Sequence, residues 1–346
     1  MRKIHVGIIG YGLSGRFFHG AILKSLSQYV VKTVVTTDHD KAQLVNKEHP
    51  QAKVVASAED IFSDKDIELV VISSPNTSHF EYAKQAMTSG KHVLIEKPFA
   101  VSSKEAQELI EISRTTDQLL TTYHNRRYDS DFLTVKKIIE SGDLGDLVEY
   151  HSSFNRFRPI VKSETWKEKP LPGSGIVYDL GSHLIDQSLS LFGKPDMVFA
   201  DIRKQRKGIV DDNFEIILYY PDLKVSLTAG ALVNAKLPKF LLLGKSGSFV
   251  KYGLDVQEEA LRSGKNINDS GWGEEGSDLY GDLILDGHAP CKVTSQAGCY
   301  PQFYLDLYQA IVSGKPVPVS PQDALETIRI IEAAFKSNEE GQRIKL

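Results

Sequence analysis

Asp179 and His183 stand four residues apart, so on a helix they share one face. A carboxylate beside an imidazole orients the ring and tunes its basicity, which is the composition of a general base working near neutral pH. The same spacing also serves a purely structural pair. A glycine loop, Pro172-Gly173-Ser174-Gly175, precedes them. Lys97, in Glu96-Lys97-Pro98, closes the short apolar run His92–Ile95. Lysine is usually a solvated surface charge. At the carboxyl end of a buried strand, its ammonium instead can hydrogen-bond a hydroxyl and stabilise oxyanion charge as it develops.

Gly10-Tyr11-Gly12-Leu13-Ser14-Gly15 fits G-x-G-x-x-G, directly after an apolar run and before a helical pattern. In that context Gly10 makes the tight turn, Gly12 lets backbone approach a pyrophosphate, and Gly15 lets helix and strand pack closely. The helix N-terminus offers N–H groups and a positive dipole end to phosphates. Asp38 lies 23 residues past Gly15, near the ~20 expected of a ribose-binding acid in NAD enzymes. It also suits the cap of the next helix. Thr36 and Thr37 hold the strand tip, where hydroxyls suit a 2′-phosphate, and Lys41 is close; these residues favour NADP over NAD.

Ser73-Ser74-Pro75-Asn76-Thr77-Ser78-His79 follows the fourth apolar run. There Ser74, Pro75, Asn76 and His79 are cofactor-contact candidates, while Ser78 caps the helix carrying Phe80, Tyr82, Ala83 and Met87. Capping alone explains the stretch as well. In His124-Asn125-Arg126-Arg127-Tyr128, His124 is a substrate candidate and Asn125 a cofactor candidate; Arg127 reads as part of a polar network between domains. Arg156 and Arg158 read as strand residues that either reach the site or pair with carboxylates. Tyr178, beside Asp179, is a further substrate candidate.

These residues need elements to carry them. Short β-rich runs at Ile4–Ile9, Val30–Thr36, Lys53–Ala56, Leu69–Ser73, His92–Ile95 and Leu119–Thr122 alternate with helical spacings, which specifies a doubly wound parallel sheet. After Tyr123 the pattern becomes α+β. Helices are expected at Asp131–Ser141 and Gly175–Leu191, then strands at Asp196–Lys204, Asn213–Tyr220, Lys224–Val233, Phe240–Leu243 and Gly247–Val250 in a largely antiparallel open sheet. Ser263 to Gly276 reads as a surface loop, with helices near Tyr304–Val312 and Pro321–Lys336. The division is therefore a dinucleotide-binding domain over 1–122 and an α+β substrate-binding and oligomerisation domain over 123–346. A chain of 346 residues suits about two domains.

Composition narrows the function. With 41 basic and 45 acidic residues the net charge is −4, which gives no basic footprint for nucleic acid. The longest run free of Lys, Arg, Asp and Glu is Val293–Leu305, at 13 residues, against the ~20 needed to span a bilayer. Two cysteines, Cys291 and Cys299, without CxxC or a histidine cluster, support no metal site and no disulfide scaffold. The expected location is cytoplasmic.

Taken together in order, the glycine fingerprint, Glu96-Lys97-Pro98 and the glycine loop followed by Asp179 and His183 resemble the glucose–fructose oxidoreductase / inositol dehydrogenase (Gfo/Idh/MocA) family of NAD(P)-dependent dehydrogenases, over essentially the whole chain. The resemblance implies catalytic roles for Lys97, Asp179 and His183. His124 to Leu133 and Gly173 to Leu180 are similar to a bacterial branch of NADP-dependent inositol dehydrogenases, with Gly173-Ser174-Gly175 replacing three glycines. It implies hydride transfer between NADP, or NAD, and a ring hydroxyl of a polyol or sugar. The open antiparallel sheet has a face to cover, so a homodimer or homotetramer through it is expected. Two other activities on this fold are NAD-dependent glycosidases and catalytically silent cofactor-binding regulators.

Overall fold

Six short strands with apolar residues on both faces build the first sheet: β1 (Ile4–Ile9), β2 (Tyr29–Val35), β3 (Lys53–Val55), β4 (Leu69–Ile72), β5 (His92–Ile95) and β6 (Leu120–Thr122). In the computed structural model, which describes residues 2–161 and 168–346, they run parallel in the order β3-β2-β1-β4-β5-β6. Ile4, Val6, Ile8, Leu69, Val71 and Leu94 are fully buried. Each such side chain contributes roughly 1.5–3 kcal/mol on leaving water, so the alternation of helices over both faces follows from the strands' composition. The strand order reverses between β1 and β4, the point where doubly wound sheets bind ligands beyond the carboxyl ends of their strands. Gly10 follows β1, Ser73 follows β4 and Glu96 follows β5, so three of the sequence motifs leave the sheet at that edge.

This first unit comprises Met1–Asn125, Gln257–Trp272 and Cys299–Leu325. The late segments return because they complete its core. The helix Tyr300–Ser313 sets the Tyr304 ring 5.6 Å from Tyr29, whose hydroxyl donates to the Tyr304 carbonyl at 2.7 Å. Thr121 on β6 donates to the Val319 carbonyl at 2.8 Å. The second unit comprises Arg126–Val256, Gly273–Gly298 and Glu326–Leu346. A single cut at 122/123 thus becomes two interleaved units, since composition along the chain does not reveal which core a late helix joins.

The second sheet contains β7 (Leu147–Ser153), β8 (Met197–Arg203), β9 (Asn213–Tyr219), β10 (Lys224–Gly230), β11 (Phe240–Gly244), β12 (Gly247–Lys251), β13 (Gly281–Leu285), β14 (Cys291–Val293) and β15 (Ile344–Lys345). Their order is β14-β13-β12-β11-β7-β10-β9-β8-β15, and only β7 and β10 pair parallel. Tyr150, Phe214, Leu227 and Phe240 pack one face against Phe132 and Val135 of the helix Ser130–Ser141 and Leu184 of the helix Ser182–Phe192. On the other face, the cross-strand pairs Phe199–Ile217 and Leu241–Val250 are only half-buried. The sequence reading omits β7 and β13 to β15. Arg156 and Arg158 lie beyond the end of β7, although their amides still donate to the Gly230 and Ala231 carbonyls at 2.9 and 2.7 Å. Among the described residues no helix is long and apolar enough to cross a membrane.

Candidate active site

The three glycines after β1 do different work. Gly10 adopts φ +93°, and a Cβ there would stand 2.9 Å from the Ser73 carbonyl oxygen. A Cβ on Gly15 would collide with the Gly10 carbonyl and lie 2.7 Å from Ser73 Oγ, so only glycine allows the helix to approach the strand. At Gly12 a Cβ would meet nothing within 4 Å. Backbone bordered by open space, at the start of a helix, is the cradle a pyrophosphate requires, and these residues fit a dinucleotide. The helix does not open as an α-helix: Ser14–Gly20 is a π-turn, and α geometry begins at Ala21. Leu13 is exposed beside the cradle. The Tyr11 side chain is buried instead, donating to Glu48 at 2.9 Å, so only its backbone remains on the cradle side.

Asp38 is the cap of the helix His39–Glu48, accepting the Lys41 amide at 3.1 Å, and its other oxygen lies 2.9 Å from the Lys41 ammonium. These contacts hold its carboxyl below the usual carboxylate range. The Thr36 hydroxyl accepts the Asp38 amide at 3.2 Å, and Thr37 is exposed. After β4, Ser74 and Ser78 pair their hydroxyls at 2.7 Å, while Pro75 is exposed and Asn76 buried. Ser78 does not cap the helix His79–Thr88; its hydroxyl donates back to the Pro75 carbonyl at 2.7 Å, which satisfies it within the turn. His79 is buried with its ring nitrogens 3.0 Å from the Ser74 and Pro98 carbonyls. Burial pushes its pKa down, against the pull of those two acceptors. His79 therefore ties the Ser74 loop to the Lys97-Pro98 loop rather than presenting its ring to a ligand.

Glu96 is the hub of this half. Its Oε1 accepts from the Ser14 hydroxyl and from His19 Nε2 at 3.0 Å, and its Oε2 accepts the Lys97 amide at 2.9 Å. Burial alone would raise the Glu96 carboxyl; the His19 bond and charge, with Ser14 and Lys97, bring it down to about 2. Lys97 itself is half-buried and follows β5 through a cis bond to Pro98. His124 and Asn125, at the end of this unit, are buried. Sequence reasoning missed His19 and Tyr304, although His19 stands on the same helix four residues after Gly15.

In the second unit the glycine loop is pinned from outside. Asp211 accepts the Val177 amide on Oδ2 at 2.8 Å, and the Ile176 amide donates to its carbonyl at 3.0 Å. Gly175 has φ +90°, and a Cβ there would fall within the Asp211 carboxylate. Asp211 too was missed; its signal is an acidic pair, Asp211-Asp212, immediately before an apolar strand. The expected helix from Gly175 begins instead as a π-turn over Val177–Gly181 and becomes α over Ser182–Phe192. This start carries Asp179, half-buried with Oδ2 3.7 Å from Arg156 Nη1, and His183, which is buried. Tyr178 stacks on Phe335 at 6.1 Å and serves the core. Arg127 forms a two-pronged pair with Asp186 at 2.9 and 2.7 Å, and Gln187 donates to the Arg126 carbonyl at 2.9 Å. The Arg127 pair thus lies within the second unit and braces the helix that carries His183.

One unit therefore offers a dinucleotide cradle with a fixed lysine, and the other a carboxylate and an imidazole on a braced helix start. Family models match both halves of the chain. The model of the oxidoreductase family's NAD-binding Rossmann fold (GFO_IDH_MocA) matches residues 4–124, and that of its C-terminal alpha/beta domain matches 136–346. The scyllo-inositol 2-dehydrogenase (NADP(+)) of Bacillus subtilis (strain 168) is 40% identical over 99% of this chain and 96% of its own. The solved structure of yvaA from Bacillus subtilis superposes with a TM-score of 0.96 at 40% identity, covering 100% of this chain and 99% of that one. An oxidoreductase from Bacillus cereus gives a TM-score of 0.91 at 34% identity, with 99% of each chain covered. With both halves matched in order, the chain belongs to the Gfo/Idh/MocA oxidoreductase family and is one of its NAD(P)-dependent dehydrogenases.

Proposed function

We propose that the chain transfers a hydride reversibly between a nicotinamide cofactor, NADP in preference to NAD, and a ring hydroxyl of an inositol-like polyol or sugar. The observation that carries this reading is the Glu96 hub. One carboxylate holds both Ser14 of the glycine turn and the Lys97 backbone, which ties the lysine to the dinucleotide cradle. A bound nicotinamide supplies the carbon that exchanges hydride with the substrate. Lys97 donates to the reacting oxygen and stabilises its alkoxide character. His183 takes the hydroxyl proton during oxidation, and Asp179 positions the imidazole.

The preference for NADP is supported by Asp38, whose carboxylate is already engaged by the Lys41 amide and ammonium, and by Thr36 and Thr37 at the strand tip. The substrate class is supported by the Bacillus subtilis relative, named as an NADP-dependent scyllo-inositol 2-dehydrogenase. The half-buried apolar pairs on one face of the second sheet support assembly into a homodimer or homotetramer through that face. The test is a panel of inositols, other polyols and aldoses, read as reduced-nicotinamide absorbance with NADP and NAD separately. The expected result is turnover of an unglycosylated cyclic polyol with a higher kcat/KM for NADP. A higher value for NAD overturns the cofactor preference, and turnover of glycosides alone overturns the substrate class.

A further inference from the structure

The Glu96 hub has a second layer behind it. His19 is fully buried, with Nε2 3.0 Å from Glu96 Oε1 and Nδ1 2.6 Å from the Tyr304 hydroxyl. A carboxylate only accepts, so Nε2 carries a hydrogen toward Glu96, while Nδ1 meets the Tyr304 hydroxyl. The Tyr304 hydroxyl, buried beside Tyr123 and Tyr29, stays protonated because burial drives its pKa far up. The contacts thus run from Tyr304 through His19 to Glu96, and Glu96 passes its orientation to Ser14 and to the Lys97 amide.

We propose that His19 is a positioning residue for cofactor binding and turnover, acting through Glu96 on the phosphate-binding turn and the Lys97 loop together. Two of Glu96's partners, Ser14 and the Lys97 amide, belong to functional segments; His19 belongs to neither a cradle nor a reacting group. Its ring makes one bond to the hub and one to the helix Tyr300–Ser313, so it anchors the hub to a rigid element. The role of Lys97 rests on the dehydrogenase reading, but the effect on the glycine turn does not.

The titratable and charged groups facing Glu96 are His19 on the helix after the cradle, Lys97 beside it in the chain, His79 on the helix His79–Thr88 and Tyr304 on the late helix. With His19 present, the carboxylate is ionised across the working range. Replacing His19 with an apolar side chain leaves burial, the largest influence and one that raises Glu96, without its strongest opponent. Glu96 then takes up a proton as the pH falls, and a carboxylic acid no longer accepts at both oxygens in the same way.

The experiment is calorimetric titration of NADPH, and separately NADH, into wild-type protein and His19→Leu from about pH 8 to about pH 5. Wild-type affinity should vary little. His19→Leu should bind roughly tenfold or more weakly, the scale of a lost hydrogen bond to a charged group. Its affinity should fall further toward acid, and that acid limb should vanish in His19→Leu/Glu96→Gln. His19→Gln, which keeps an amide donor, should recover most of the loss. If circular dichroism shows His19→Leu unfolded, His19→Ala takes its place with the same readouts. Affinity within about twofold of wild type and an unchanged pH profile in the folded variant would overturn the proposal. Because the readout is cofactor affinity, this outcome is distinct from a failure of the substrate assignment.

Discussion

The Val177 amide donates to Asp211 Oδ2 at 2.8 Å, and the same carboxylate fills the space where a Cβ on Gly175 would stand. Two residues 36 positions apart (211 − 175) thus determine how the loop before Asp179 and His183 enters its helix. Burial pushes the Asp211 carboxyl up while the Val177 bond opposes it. Asp211→Ala should therefore cost about 1–3 kcal/mol of stability by stranding a buried amide, and should lower kcat because the helix start loosens. Asp211→Asn keeps an acceptor and should retain most of both. Gly175→Ala should be worse than either, since φ +90° and the collision with Asp211 act together. Thermal melts beside steady-state kinetics check the ranking; equal behaviour of the alanine and asparagine variants at Asp211 would refute it.

Gly12 separates binding from folding. Nothing lies within 4 Å of a Cβ built there, so the Gly12→Val side chain starts into open space and the variant should melt close to wild type. The added side chain would occupy the space a pyrophosphate needs. Calorimetry should show NADPH and NADH affinity lost, and retained affinity would remove the dinucleotide assignment of this turn.

How far these features were legible depends on the range of the forces behind them. Gly10, Gly12 and Gly15 are readable because a positive φ, an open approach and a close approach are each local demands on a backbone. Lys97 and His183 are readable because their neighbours in sequence carry the motif. His19, Tyr304 and Asp211 act through hydrogen bonds to residues 77, 285 and 34 positions away, which periodicity does not report. β7 escaped because Leu147–Ser153 ends in His151-Ser152-Ser153, a polar tail on a central strand that pairs parallel with the distant β10. Ser78 reads as a cap by residue type, yet its hydroxyl bonds to Pro75 within the tight turn.

Glu96 should leave a mark on acid stability. Its folded pKa is depressed from the model-peptide 4.5 to about 2. A depressed carboxylate contributes stability above its unfolded pKa and loses it as the pH falls through the folded one. The window therefore runs from about 4.5 down to about 2, with up to about 3 kcal/mol at stake. Urea titrations across that range should show wild type losing stability more steeply than Glu96→Gln, whose amide does not titrate. Parallel slopes would mean the carboxylate is not the group responsible.

Mutant kinetics should divide the catalytic groups from the binding groups. If Lys97 stabilises charge that develops only during hydride transfer, Lys97→Ala should lower kcat far more than it weakens NADPH binding, by roughly 10²–10³-fold. His183→Ala should depress kcat about 10²–10⁴-fold, the usual loss for a positioned base. Asp179→Asn should be milder, and its effect should largely vanish where His183 is already absent, because a group acting through the imidazole has nothing left to orient. Arg156, with Nη1 3.7 Å from Asp179 Oδ2, is an ion-pair partner of that carboxylate. Arg156→Ala should therefore alter Asp179 most visibly in the pH profile. For oxidation, kcat/KM should rise through a group near neutrality and lose that limb in His183→Ala. Near-wild-type turnover in both Lys97→Ala and His183→Ala would break the assignment of these residues, since other groups would then have to handle the hydroxyl proton and the alkoxide charge.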